Sequence, residues 1–113
     1  MATGDLNSDV ATRMCEAARP EGYYLDELEE GAVLELETRN HRYTIVKSAR
    51  AEARISGHPR LCPESVVVHI NGSGGGGYEL MPGFIGRGMH LIFEHPVYHT
   101  ITTSRILEIH RIG

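Results

Sequence analysis

Tryptophan is missing from this chain of 113 residues, and only two phenylalanines and two cysteines are present. Cys15 and Cys62 show no CxxC spacing, and two such thiols do not make the framework of a secreted, disulfide-stapled domain. No apolar run in residues 1–20 resembles a signal peptide, and no stretch approaches the length needed to span a bilayer. The cytoplasm is therefore the expected compartment, with no membrane partner. Charge of one sign is also scarce. The formal net charge is −4, which supplies no global field to hold a polyanion. Lysine is almost absent, since Lys47 is the only one among eleven basic residues. Arginine favours planar, bidentate contacts over point-charge ones.

What is present is unevenly distributed. Glu21 to Glu37 holds seven acids and no base, whereas Arg39 to Arg60 holds six bases against the single acid Glu52. Adjacent segments of opposite sign are expected to neutralise each other on one surface. A chain of this length fits one domain and buries roughly 60–70% of its unfolded surface, enough for one modest core. The expected division is an N-terminal tail or short helix over 1–20 and a single β-barrel domain over 21–113.

Val10, Met14, Ala17 and Ala18 carry a helical spacing that Pro20 would stop. Tyr24 to Gly31 reads as one helical turn closed by glycine, with Leu25 and Leu28 inward. From Ala32 the period changes to two. Val33–Thr38 and Arg42–Lys47 alternate cleanly around an Asn40-His41 turn. That turn sets Thr38 opposite Tyr43 and Leu36 opposite Ile45, with the apolar residues on one face. Arg50–Ile55 alternates again, placing Ala51, Ala53 and Ile55 inside. Val66–Ile70 is a strand by β-branching, and Asn71–Gly77 is a glycine-rich connection expected to be mobile.

Tyr78–Met81 is a short strand. Met89–His95 and Arg105–Ile109 follow, with a Pro96-Val97 turn setting Glu94 against His99, Phe93 against Thr100 and Leu91 against Thr102. Six or seven short strands with little helix predict a small all-β antiparallel barrel or roll. Closure is expected because so short a chain cannot cover open edges with helices.

The order of short motifs adds a resemblance. L-x-x-L-x-x-G at Leu25–Gly31 and L-E-T-R-N-x-x-Y at Leu36–Tyr43 come first. N-G-S at Asn71–Ser73, I-G-x-G-M-x-L-x-F at Ile85–Phe93 and T-T-S-R-I at Thr102–Ile106 follow. Together, over residues 24–110, this order resembles a group of small, uncharacterised bacterial β-proteins. The resemblance implies an SH3-like fold in a bacterial protein and brings no catalytic residues.

Candidate chemistry concentrates on the histidines. In the expected hairpin register His90, Ile92, Glu94, His99, Ile101 and Thr103 share the outer face. His90, Glu94 and His99 then form the donor set of a facial triad for a divalent metal. Against it, His90 and Glu94 lie about 13 Å apart along the strand. No other cofactor is expected. The glycine run lacks the lysine and following helix of a phosphate cradle, and Ser73 lacks the strand–turn–helix context of a nucleophile elbow. Cys62 with His58 has the chemistry of a thiolate–imidazole pair, but a thiol beside Pro63 reads better as a small apolar plug.

Arg39, Arg42, Arg50 and Arg54 suggest single-stranded nucleic acid, a reading weakened by Tyr43 falling on the inner face. The preferred expectation is a non-catalytic binding or self-assembly module, either a homo-oligomer or a binder of an unknown protein partner. It would dock through Ile92, Ile101 and His99.

Overall fold

Alternation of apolar and polar residues from Val33 onward dictates strands, and strands are what form. The computed structural model describes residues 20–113. In chain order the strands are β1 (Gly22–Tyr24), β2 (Val33–Thr38), β3 (Arg42–Lys47), β4 (Glu52–Ser56) and β5 (Val66–Gly75). They continue as β6 (Tyr78–Pro82), β7 (Phe84–Gly86), β8 (His90–His95) and β9 (His99–Arg111). The expected tail or helix at 1–19 lies outside the described residues. The expected turn near Tyr24 is a single 3₁₀ turn at Leu25–Glu27, with Leu25 and Leu28 buried and the acids outward. No helix among the described residues is long and apolar enough to cross a membrane.

Six strands close into an antiparallel barrel in the cyclic order β2-β3-β4-β5-β8-β9, with β4–β5 pairing completing the ring. Neighbours in the ring are neighbours in sequence except across β5 and β8, where β6 and β7 intervene, and across β9 and β2, the last and first strands of the ring. β6 adds a further strand on β5, and β7 pairs with β1 in a separate two-stranded ribbon. Leu34, Leu36, Tyr43, Ile45, Ala53, Ile55, Val68, Ile70, Leu91, Phe93 and Ile106 fill the interior. Each large side chain among them contributes about 1.5–3 kcal/mol by leaving water. Lys47 is also buried, and its Nζ donates to the Leu25 carbonyl, tying the 3₁₀ turn to the end of β3.

Two hairpin registers differ from those the sequence suggests, with unequal consequences. Between β2 and β3 the turn is Arg39-Asn40 rather than Asn40-His41, so Leu36 faces Tyr43 and Leu34 faces Ile45. Thr38 sets this, because its Oγ1 accepts from the His41 N–H and donates to the His41 carbonyl. The slip is two residues, and side-chain direction has period two, so every residue keeps its expected face.

Between β8 and β9 the turn has three residues, Pro96-Val97-Tyr98. It pairs His95 with His99, Glu94 with Thr100 and Phe93 with Ile101. His99 adopts φ 62°, the left-handed position that ends such a turn. This slip is one residue, so β9 is reversed near the turn. Ile101 packs against the core rather than lying outside beside Ile92.

The glycine-rich segment is not the expected mobile connection. Asn71–Gly75 continues β5, and Gly76-Gly77 turns the chain into β6. A Cβ on Gly72 (φ +143°) would stand 2.2 Å from the Met81 carbonyl oxygen, and one on Gly76 (φ +62°) would stand 2.1 Å from that of Gly88. Ser73, buried between them, donates from Oγ to the Phe84 carbonyl and accepts from the Gly86 N–H, fastening β7 to β5. Backbone contact explains the composition here. Gly76→Ala is expected to cost about 2–3 kcal/mol through both clash and left-handed strain. A urea denaturation midpoint unchanged from the parent would refute this account of the turn.

Candidate functional site

The antiparallel order brings three connections to one rim of the barrel: the β2–β3 turn, the 57–65 loop between β4 and β5, and the β8–β9 turn. Four of the seven histidines, His41, His58, His95 and His99, belong to this rim. His95 links two of the connections, with Nε2 2.8 Å from the Leu61 carbonyl oxygen. His41 and His58 link the third, their ring centroids 4.0 Å apart.

Two of these histidines occupy the same local device. His58-Pro59-Arg60-Leu61 and His95-Pro96-Val97-Tyr98 are both turns in which proline presets the first corner. In each, the ring Nδ1 accepts the N–H groups two and three residues on. His58 takes those of Arg60 (3.1 Å) and Leu61 (3.0 Å); His95 takes those of Val97 (3.0 Å) and Tyr98 (3.1 Å). A neutral ring that accepts at Nδ1 carries its proton on Nε2. The Nε2–H of His95 therefore donates to Leu61. Neither ring, held so, presents a lone pair to a metal. The sequence carries this signal as a repeated His-Pro dipeptide, which is masked when histidines are read only as a ligand set.

Burial governs the remaining chemistry of the rim. Tyr43 lies inside, its phenol pushed up to about 12 by desolvation and by the neighbouring Cys62. Burial likewise raises the Cys62 thiol, against the opposing effect of a backbone hydrogen bond from the His58 segment. A raised thiol is a poor source of thiolate, so the Cys62–His58 pair lacks the activation that nucleophilic catalysis needs. His58 is shifted downward, first by desolvation, then by His41 and by Arg60.

The expected metal residues are not brought together. Thr100, not His99, stands opposite Glu94, and its Oγ1 donates to the carboxylate at 2.7 Å; the Asn71 amide donates at 3.3 Å. These bonds, Thr100 first, hold the Glu94 carboxyl below the usual range. Nearby His99 and His69 add to the effect, and desolvation opposes it. His90 lies four residues back along β8, with Nδ1 2.8 Å from the Thr103 carbonyl oxygen, and therefore donating to it. Among the described residues no group of three His, Cys, Asp or Glu side chains converges to hold a metal. Of the expected docking residues, Ile92 is half-buried on the outer wall, Ile101 packs on the core, and His99 is exposed at the rim.

The arginines divide between the two ends of the barrel. Arg39 and Arg42 lie at the histidine rim, and Arg42 stands 3.9 Å from Glu35 and 3.8 Å from Glu37 on β2. This is the neutralisation expected between the acidic and basic segments. Arg54 projects outward from mid-β4 between Val46 and Val67. Arg50 lies in the β3–β4 turn at the opposite rim, beside Asp26 in a shallow cleft of about 450 Å³. Tyr43 is buried, as expected from the alternation, so it does not serve these arginines for base stacking.

Compared with known proteins, the chain matches no family model, no curated protein and no solved structure.

Two outcomes test the rim. His95→Leu removes the acceptor for two N–H groups and the donor to Leu61, and is expected to cost about 3 kcal/mol at roughly 1 kcal/mol per bond. His95→Asn keeps a side-chain acceptor for the turn and should cost less; equal losses in chemical denaturation would contradict the assigned roles. His58 titrates lower in the folded state than the usual value near 6.5. Between those two values the unfolded chain binds more protons, so this contribution to stability is complete above about pH 6.5 and is lost as pH falls towards the folded value. A stability–pH series of the parent and of His58→Gln should diverge above that window and converge below it. Parallel curves across the window would remove His58 as the source.

Proposed function

We propose that this protein is a non-catalytic binding or self-assembly module. In the finer description it is an SH3-like barrel working as a homo-oligomer in a bacterial cytoplasm. The strands succeed one another round the ring, and the long β5 serves neighbours in both halves, which supports the SH3-like description. The observation that carries the functional reading is the contrast between a filled interior and an apolar exterior. The side chains inside the barrel are close to fully buried, so a ligand finds no chamber there. Four of the groups with reactive chemistry are occupied structurally. Ser73 fastens β7, His58 and His95 build turns, and Cys62 is buried with a raised thiol.

Outside, large apolar side chains remain exposed among the described residues. They include Tyr78 and Leu80 on β6 and Val97 and Tyr98 in the β8–β9 turn, together with Val67 on β5, Leu107 on β9 and Ile112. Exposed apolar groups of this kind mark surfaces that meet another macromolecule. Ile92 remains part of the outer wall, whereas Ile101 supports the core, which moves the docking surface off the wall of the last hairpin. The expected result in sedimentation velocity across micromolar concentrations is a species heavier than one chain whose fraction rises with concentration. A single monomeric boundary throughout that range would overturn the self-assembly reading.

A further inference from the structure

We propose that the cleft between the 3₁₀ turn and the β3–β4 turn binds a free α-amino acid with an apolar side chain. Lys47 and Arg50 take its carboxylate, and Asp26 and Glu30 take its ammonium. The cleft lies at the end of the barrel opposite the histidine rim, encloses about 450 Å³ and is lined by Asp26, Leu28, Glu30, Lys47, Ala49 and Arg50. Backbone bonds fix its walls against each other. The Gly31 N–H donates to the Lys47 carbonyl at 2.8 Å, and the Lys47 N–H donates to the Ala32 carbonyl at 2.9 Å. Across the β3–β4 turn the Ala49 and Glu52 N–H groups each donate to the other's carbonyl at 3.2 Å. One copy of the chain holds the whole cleft, so the proposal goes beyond the self-assembly reading and does not depend on it.

A buried ammonium is the first reason. Lys47 is only 6% exposed, and a charge taken out of water is costly unless a counter-charge and further hydrogen bonds compensate it. The ammonium carries three N–H donors, yet its partner is a neutral group, the Leu25 carbonyl. Among the described residues no carboxylate lies within 4.0 Å of it. An anion in the cleft supplies the missing counter-charge. The other charged residues of the cleft are the second reason. Asp26, Glu30 and Arg50 are exposed, and none of them forms an ion pair among the described residues. Two cations and two anions therefore line one cleft with space left between the signs.

That arrangement selects the ligand. A plain anion meets Asp26 and Glu30 as like charges, and a plain cation meets Lys47 and Arg50 in the same way; like-charge juxtaposition rejects both. An α-amino acid carries a carboxylate and an ammonium on one carbon and answers both pairs. Arginine can take the carboxylate through two parallel N–H bonds. The side-chain class follows from what adjoins. A second cleft of about 250 Å³ shares Asp26 and Arg50 with the first, and in it the apolar Leu25, Ala51, Ile70 and Pro82 outnumber the polar His69 and Asn71. An aliphatic side chain passing that junction meets apolar walls while its charged end stays in the first cleft.

The probe is L-leucine, titrated into the whole chain and followed by backbone amide chemical shifts. Saturable shifts are expected at residues 26–31 and 47–50. Two fragments of the probe separate the charges: 4-methylpentanoate lacks the ammonium and 3-methylbutylamine lacks the carboxylate. Each should bind about tenfold or more weakly than L-leucine, since each loses charge-assisted hydrogen bonds. Lys47 also ties the 3₁₀ turn to β3, so the exposed residues carry the mutational test. Arg50→Gln should weaken L-leucine by about tenfold. Asp26→Asn combined with Glu30→Gln should abolish the preference for L-leucine over 4-methylpentanoate, a change that a merely structural role for these carboxylates would not produce. No saturable shift up to about 10 mM L-leucine, a range that covers even weak binding, would overturn the site. Equal affinity for 4-methylpentanoate in the parent would replace the amino acid with a plain anion, and saturable shifts confined to other residues would overturn the location.

Discussion

Closure of the barrel turns on the bend of β5. This strand must hold β8 along one side while its other side pairs first with β4 and then with β6. An evenly pleated strand cannot leave one neighbour and meet another without local departures from regular geometry. The departures fall between Ile70 and Gly72 and between Ser73 and Gly75, where the registers with β8 and β6 shift. Glycine is used where backbone meets backbone or φ is positive, and Ser73 supplies the one side chain that fastens the bent region to β7. In the Val66–Ile70 half of the strand the β-branched Val68 and Ile70 line the core, while Val67 and His69 face outward. The two halves differ in composition because they face different physical demands.

The rim follows from the same closure. Once the ring is formed, three connections distant in sequence lie together, and their backbone donors need acceptors. Two imidazoles answer that need in the same way, each accepting a pair of N–H groups within its own His-Pro turn. His95 then donates across to Leu61, so that one turn braces the next. His58 and His95 thus act as structural supports, and the wall residue Glu94 accepts from Thr100 and Asn71.

The comparison of registers shows where sequence reasoning holds and where it fails. A two-residue slip between β2 and β3 left every face unchanged, so core membership at Leu34, Leu36, Tyr43 and Ile45 was legible. A one-residue slip between β8 and β9 reversed the faces and carried Ile101 from the expected outer patch to the core. Both slips arise from turn chemistry, one from the Thr38 hydroxyl and one from the His95 ring. Pattern counting along a strand is blind to both, since an alternating pattern on either side of a turn does not say how many residues the turn consumes. The expected outward placement of Ile101 failed for this reason, and the edge at β6 was missed because no pairing partner can be read from one strand.

The sequence by itself determined the all-β class, the limits of β2 and β3 and which side chains of β2, β3, β4 and β8 enter the core. Those properties follow from the period-two direction of side chains along any extended chain, a matter of local covalent geometry. Only the tertiary structure decided the length of the last turn, the use of glycine for close backbone approach and the meeting of four histidines at one rim. It also decided which strand kept a free side. These depend on hydrogen bonds between residues far apart in sequence, such as His95 to Leu61 and Ser73 to Phe84, and no local pattern encodes them.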